Sequence, residues 1–264
     1  MTMRFGVCVS SEQTAELDVL TGDARPDFVE WSVAKSVGTL DEAGFAALRM
    51  ETTALPFVPE TWNVLLPGSL KIVGPNADLN VLAVYAETAL ARVAALGGTL
   101  CVFGSGGART IPEGWDRAEG RRQFVAACRV LVPVAAAHGV TLALEPLRRV
   151  ETNLINTVTD GLAMLDDVGD ARLAILADLY HMLEEGEDVS VVRQAGARLM
   201  HVHVAAAGPR TLPVAGDGAV TKAFFRELRA AGYDRRVSIE CRWDDVAALG
   251  ESLAFLRETW AAMG

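Results

Sequence analysis

Short runs of β-favouring residues recur along this chain, separated by helical patterns, and that alternation most narrows the folds open to it. The runs fall at 4–9, 28–33, 52–58, 100–105, 141–147, 172–180, 199–205 and 237–243. Strands that alternate with helices pair in parallel, because a parallel pair needs a crossover long enough to hold a helix. Apolar residues at helical period mark 39–50, 80–97, 116–138, 157–168, 187–196, 221–231 and 244–262. The first of these opens on a capping box from Thr39 to Glu42. Gly97, Gly139 and Gly232 each end a helical run shortly before a strand, where a left-handed residue closes a helix. Eight such units in 264 residues predict an α/β fold, a closed (β/α)8 barrel of the TIM type, which typically needs about 250 residues. A doubly wound open sheet would place a glycine-rich turn after the first strand, and "VCVSSEQ" has none. No linker or tandem repeat interrupts the pattern, so residues 1–264 are expected to form a single domain. The stretch 56–79 reads as one long irregular loop, a length that usually carries function.

The composition removes some functions. At 51% hydrophobic residues the chain can bury a large core, and a net charge of -10 argues against general nucleic-acid binding. Cys8, Cys101, Cys128 and Cys241 are widely spaced and read as free thiols of a reducing compartment. The opening "MTMRFGVCVS" lacks the apolar stretch of a signal peptide, and no window approaches the ~18 apolar residues of a membrane span. A cytoplasmic setting with no membrane partner is expected.

The segment "LAILADLYHM" poses the functional question. Asp178 interrupts an apolar run, and an unpaired buried charge is costly. In a barrel the C-terminal strand ends form the active face. The fifth strand brings Glu145 to that face, the sixth Asp178, the seventh His201 and His203, and the eighth Glu240. Carboxylates crowded with an imidazole repel one another unless a divalent cation joins them. Three oxygens and one nitrogen suit Mn²⁺, Mg²⁺ or Co²⁺ better than zinc.

The stretches "LEPLRRVET", "DLYH", "HVHVA" and "SIE" resemble the xylose isomerase-like sugar isomerase/epimerase superfamily, and most of all its ketose 3-epimerases. The similarity is strongest over about 140–242. It implies a metal held by Glu145, Asp178, His203 and Glu240, with Glu145 and Glu240 also the catalytic acid/base pair. It also implies substrate contacts from Glu151 and His181, and from Arg210, which lies one residue beyond the family's arginine position. The implied enzyme is a carbohydrate isomerase or epimerase that removes a proton next to a ketose carbonyl and passes through an enediolate. Glu151 would hold His181 or a substrate hydroxyl. His201 reads as a residue orienting a neighbour, and His138 as a helix-capping cation. The glycine-rich "GSGGAR" at 104–109 offers a weak anion nest, and the tryptophans near strand ends either stack on a sugar or plug the barrel.

Other functions fit the same barrel. A dehydratase acting on a keto-sugar or keto-cyclitol would start with the same proton abstraction, and an aldose–ketose isomerase is a near neighbour. Endonuclease IV shares the DxxH arrangement but needs further histidines, and this chain has four in all, none before His138. A binding protein without catalysis would need no pair of bases. The expected partner is a small carbohydrate, not nucleic acid, with a homodimer or homotetramer as the assembly common among relatives.

Overall fold

The computed structural model describes residues 3–263; Met1, Thr2 and Gly264, the ends of the 1–264 domain expected above, lie outside the described residues. Eight parallel strands close into a barrel: β1 (Arg4–Cys8), β2 (Phe28–Ser32), β3 (Thr61–Asn63), β4 (Leu100–Phe103), β5 (Thr141–Leu144), β6 (Leu173–Asp178), β7 (Leu199–Val204) and β8 (Arg236–Ile239). β8 pairs back onto β1, with Gly6 opposite Ser238. The helices are α1 (Ser11–Glu16), α2 (Glu42–Thr52), α3 (Leu79–Ala95), α4 (Gly106–Arg109), α5 (Arg117–Ala137), α6 (Val158–Val168), α7 (Leu179–Glu184), α8 (Val192–Ala195), α9 (Gly218–Ala230) and α10 (Val246–Ala261).

Strand parity places the site. Along β4 to β6, Cys101, Phe103, Leu142, Leu144 and Ile175 belong to the main core beneath the helices. Their neighbours Leu100, Val102, Ala143, Ala174 and Leu176 form a separate cluster that faces the barrel axis. Asp178 continues the inward row of β6, and the register pairs Leu176 with His201 and Asp178 with His203. His203 is in turn opposite Ser238, so Glu240, two residues on, also turns inward. The inward row is apolar at the floor and ionisable at the C-terminal rim.

Three sequence expectations are corrected. The third strand is Thr61–Asn63, inside the stretch expected to be a loop, and not 52–58. Thr52 completes α2, whose buried face carries Phe45, Leu48 and Thr52, and Pro56 and Pro59 lack the N–H groups a ladder needs. α2 starts two residues later than the Thr39 box implied, because Asp41 caps it and accepts from the Gly44 N–H at 2.7 Å. The run at 187–196 is a 3-10 turn at Val189–Val191 followed by the single turn of α8. Gly97, Gly139 and Gly232 do take left-handed backbone, with φ of 83°, 71° and 71°.

Several strands stop earlier than the sequence runs suggest. Pro146 ends β5 after Leu144, although the Glu145 N–H still donates to the Phe103 carbonyl at 3.2 Å. Glu240 similarly lies just beyond β8, with its N–H on the Val204 carbonyl at 3.0 Å. Both glutamates are therefore held by one backbone bond at the end of a rigid ladder.

Candidate active site

Glu145, Asp178, His203 and Glu240 converge at the rim, each offering a ligand atom, with these atoms all within 4.8 Å of one another. His203 Nδ1 lies 3.0 Å from Glu240 Oε2 and 3.3 Å from Glu145 Oε1. Burial works against a charge on His203, but Glu30 and Glu240 hold its pKa well above the ordinary histidine value. A proton on Nδ1 thus occupies the direction in which a cation would sit. Three carboxylates and one imidazole make an oxygen-rich set that suits a hard divalent ion, so the residues fit the metal implied by the resemblance.

The environments of the two glutamates differ. Burial and the charge of Glu240 raise the Glu145 carboxyl above its usual range. Burial alone would raise Glu240 as well, but His203 and Arg210 hold it down at about 2. Glu145 packs against Gly104, where an added Cβ would overlap Glu145 Oε2 and force that carboxylate to shift.

Asp178 caps α7 by accepting the Tyr180 N–H at 2.7 Å on Oδ1. Its Oδ2 accepts from Arg210 Nη2 at 3.1 Å, and the same nitrogen donates to Glu240 Oε2 at 2.5 Å. The charge on Asp178 is therefore met by the protein's own guanidinium as well as by a helix start. Arg210 also lies over the Tyr180 ring at 4.8 Å, on a loop where its φ of 54° is left-handed. Such backbone in a non-glycine residue costs about 1–2 kcal/mol, a strain typical of residues placed for function. Val64 and Ser105, which line the adjoining cavities, share it.

His181 sits beside Asp178, its Nε2 3.5 Å from Oδ2. Its Nδ1 accepts the Arg148 N–H at 3.4 Å, which leaves the proton on Nε2, a buried atom with no hydrogen-bond partner. Glu151, expected to hold His181 or a substrate hydroxyl, borders the smaller cavity, 4.0 Å from His181 Nδ1, and accepts from Arg148 Nε at 3.0 Å. Arg148 is the nearer, stronger donor and takes the carboxylate.

Two adjoining cavities, of about 330 and 260 Å³, meet at Val64 and Glu240. The larger opens over β1 to β3 and is edged by Ser10, Ser32, Lys35 and Asn63. The smaller is edged by Glu145, Glu151, His181 and Arg210. Trp31 and Trp62 are fully buried and meet edge to face, with ring centroids 5.8 Å apart, packed into the core. In "GSGGAR", Arg109 is fully buried and donates to the carbonyls of Phe103, Glu145 and Ile155, so this turn braces β4 against β5. His138 caps α5 and pairs with Glu87 at 2.9 Å, away from the site.

The sequence reading missed Glu30. It lies in the apolar run of β2, fully buried, and is bonded to both histidines of β7. Burial alone would raise its carboxyl, but His203 and His201 hold it well below the usual range. Its signal was the one used for Asp178, a carboxylate inside a strand with both faces covered.

A closed parallel barrel bearing this cluster at its C-terminal rim belongs to the xylose isomerase-like TIM barrel family, whose model matches residues 71–259. Among curated proteins the chain is similar to an L-ribulose 3-epimerase from Mesorhizobium japonicum, 34% identical over 140 residues, covering 52% of this chain and 46% of the relative. A 3-dehydro-D-guloside 4-epimerase from Escherichia coli is 35% identical over 145 residues, covering 53% and 54%. The chain thus spans about half the length of the curated relatives it matches. A solved structure of an L-ribulose 3-epimerase superposes with a TM-score of 0.80 at 24% identity, covering 99% of this chain and 95% of the other, which is a likeness of fold. Among the described residues no helix is long and apolar enough to cross a membrane.

Proposed function

We propose that this protein is a divalent-metal-dependent ketose epimerase. The observation that carries the reading is the pair Glu145 and Glu240, which approach His203 Nδ1 together while both border the cavity that holds His181 and Arg210. The epimerase names of the relatives favour this over the dehydratase alternative.

Epimerisation removes a weakly acidic proton next to a carbonyl and returns one to the opposite face. One carboxylate on each face of the planar enediolate meets that need, and positioned acid/base groups of this kind contribute about 10²–10⁴-fold. Glu145 and Glu240 fill those roles. Which of them takes the proton first follows from the configuration of the incoming carbon, so a reversible epimerase uses both in both roles. Glu145, Asp178, His203 and Glu240 would hold a divalent cation, Mn²⁺ as the expected ion, which would supply Lewis acidity. The orphan Nε2–H of His181 donates to a substrate oxygen, since a buried donor without a partner costs free energy that a ligand recovers. Arg210 steadies the negative charge that develops on the enediolate oxygens. Glu151 acts through Arg148 at the edge of the pocket.

The test is solvent exchange. With Mn²⁺ in deuterium oxide, ketoses such as L-ribulose and D-psicose should acquire deuterium at C3 as the epimer forms. In Glu240→Gln, assayed at Mn²⁺ concentrations that saturate the variant, turnover should fall about 10²–10⁴-fold. Failure of any ketose to exchange, or accumulation of an absorbing enone, would overturn the epimerase reading.

A further inference from the structure

His203 faces the metal cluster with one ring nitrogen and Glu30 with the other. Glu30 is fully buried in β2, a strand that contributes nothing else to the cluster. Its Oε1 accepts from His203 Nε2 at 2.9 Å. Its Oε2 accepts from His201 Nε2 at 2.7 Å, Ser238 Oγ at 2.8 Å and Thr61 Oγ1 at 3.2 Å. Donors from β3, β7 and β8 thus surround a carboxylate that water cannot reach, and an ionised carboxylate is stable in a core only when so matched.

We infer that Glu30 is the positioning residue of the metal centre, holding the His203 ring so that Nδ1 is the atom presented to a divalent cation. The inference rests on the metal-dependent reading above. An imidazole has two nitrogens, and the one that donates a hydrogen bond leaves the other as the ligand. With Nε2 committed to Glu30, Nδ1 faces Glu145 and Glu240. His201, whose own Nδ1 is buried without a partner, spends its single donor on the same carboxylate and so fixes Glu30 in turn. Glu30, Cys8 and His203 also lie close enough together to hold an ion themselves. That use would ask Glu30 to release the donors that surround it, which favours a supporting role over ligation.

Glu30→Gln separates these roles. The amide keeps the shape but offers N–H groups, and where these meet His203 Nε2 the ring proton must move to Nδ1. Calorimetric titration of the intact wild-type protein with Mn²⁺ should find one ion per chain, and Glu30→Gln should bind it about 10–100-fold more weakly, the usual effect of losing a residue that orients a ligand. In the wild type loaded with Mg²⁺, nitrogen NMR of His203 should show the proton on Nε2 and coordination through Nδ1, a readout that decides the matter even if the variant does not fold. Unchanged Mn²⁺ affinity in a folded Glu30→Gln, or coordination through Nε2, overturns the inference and leaves the epimerase reading standing. Two ions in the wild type and one in the variant would make Glu30 a ligand and also overturn it. A wild type that binds no divalent ion overturns both.

Discussion

Arg210 donates from Nη2 to Glu240 Oε2 at 2.5 Å, placing the chain's own cation on a carboxylate that the metal reading also requires. The same nitrogen reaches Asp178 Oδ2, so one guanidinium bridges the groups delivered by β6 and β8. A divalent ion bound there would therefore compete with this arginine for negative charge as well as share it.

Removing the guanidinium should separate binding from catalysis. Two like charges a few ångströms apart repel by a few kcal/mol at an effective dielectric of about 20, so Arg210→Ala should tighten Mn²⁺ binding by about tenfold or more. Turnover of the same variant should fall about 10²–10³-fold, because a donor aimed at developing charge is lost. Calorimetry paired with steady-state kinetics checks both. A variant that loses metal affinity would show Arg210 to be an organiser of the ligands, not their competitor.

Gly104 is where the packing of Glu145 is most exposed to test. Its missing side chain leaves the space that Glu145 Oε2 fills. Gly104→Ala should force Glu145 off its position and cost about 1–3 kcal/mol of stability, the range for overpacking a tight interior. Activity and Mn²⁺ affinity should fall together, in contrast to Arg210→Ala. Thermal melting with and without Mn²⁺ reads the effect, and a variant with wild-type metal stabilisation would sink the expectation.

The opposite rim of the barrel makes a pH prediction independent of the active site. Glu60 lies between Arg4 Nη1 at 2.7 Å and Arg236 Nε at 2.5 Å, tying the start of β3 to β1 and β8. Burial alone would raise the Glu60 carboxyl, but the hydrogen bonds from Arg4 and Arg236 hold it below its usual value. A depressed folded-state pKa stabilises the protein above the unfolded value, about 4.3 for glutamate, and that stability is lost as pH falls through the folded value. Glu60→Gln should therefore be less stable than wild type above about pH 5, by on the order of 1 kcal/mol for a partly exposed pair. The two should converge in stronger acid. Denaturant melts across that window test it, and parallel curves at every pH would count against the assignment.

The inward row of the barrel was largely legible from the chain. His201 and His203 share a face by period-two alternation, Glu145, Asp178 and Glu240 stand at the ends of apolar runs, and His203 was singled out from His201 by the family resemblance. What escaped was of two kinds. β3 is only three residues long and follows a proline-rich segment, so no local pattern announced it. Glu30 stood in plain view within "FVEWSV", but its meaning depends on donors arriving from three other strands.

The sequence by itself determined the rhythm of strand and helix, the parity that turns ionisable residues inward, and the family to which the strand-end residues point. These are local properties, set by backbone geometry and the spacing of apolar side chains over a few residues. Only the tertiary structure decided that Glu30 meets His203 across the barrel and that Arg210 bridges Asp178 and Glu240. Those contacts arise from barrel closure and from a competition among donors and acceptors. Their outcome rests on distances between side chains that no linear pattern encodes.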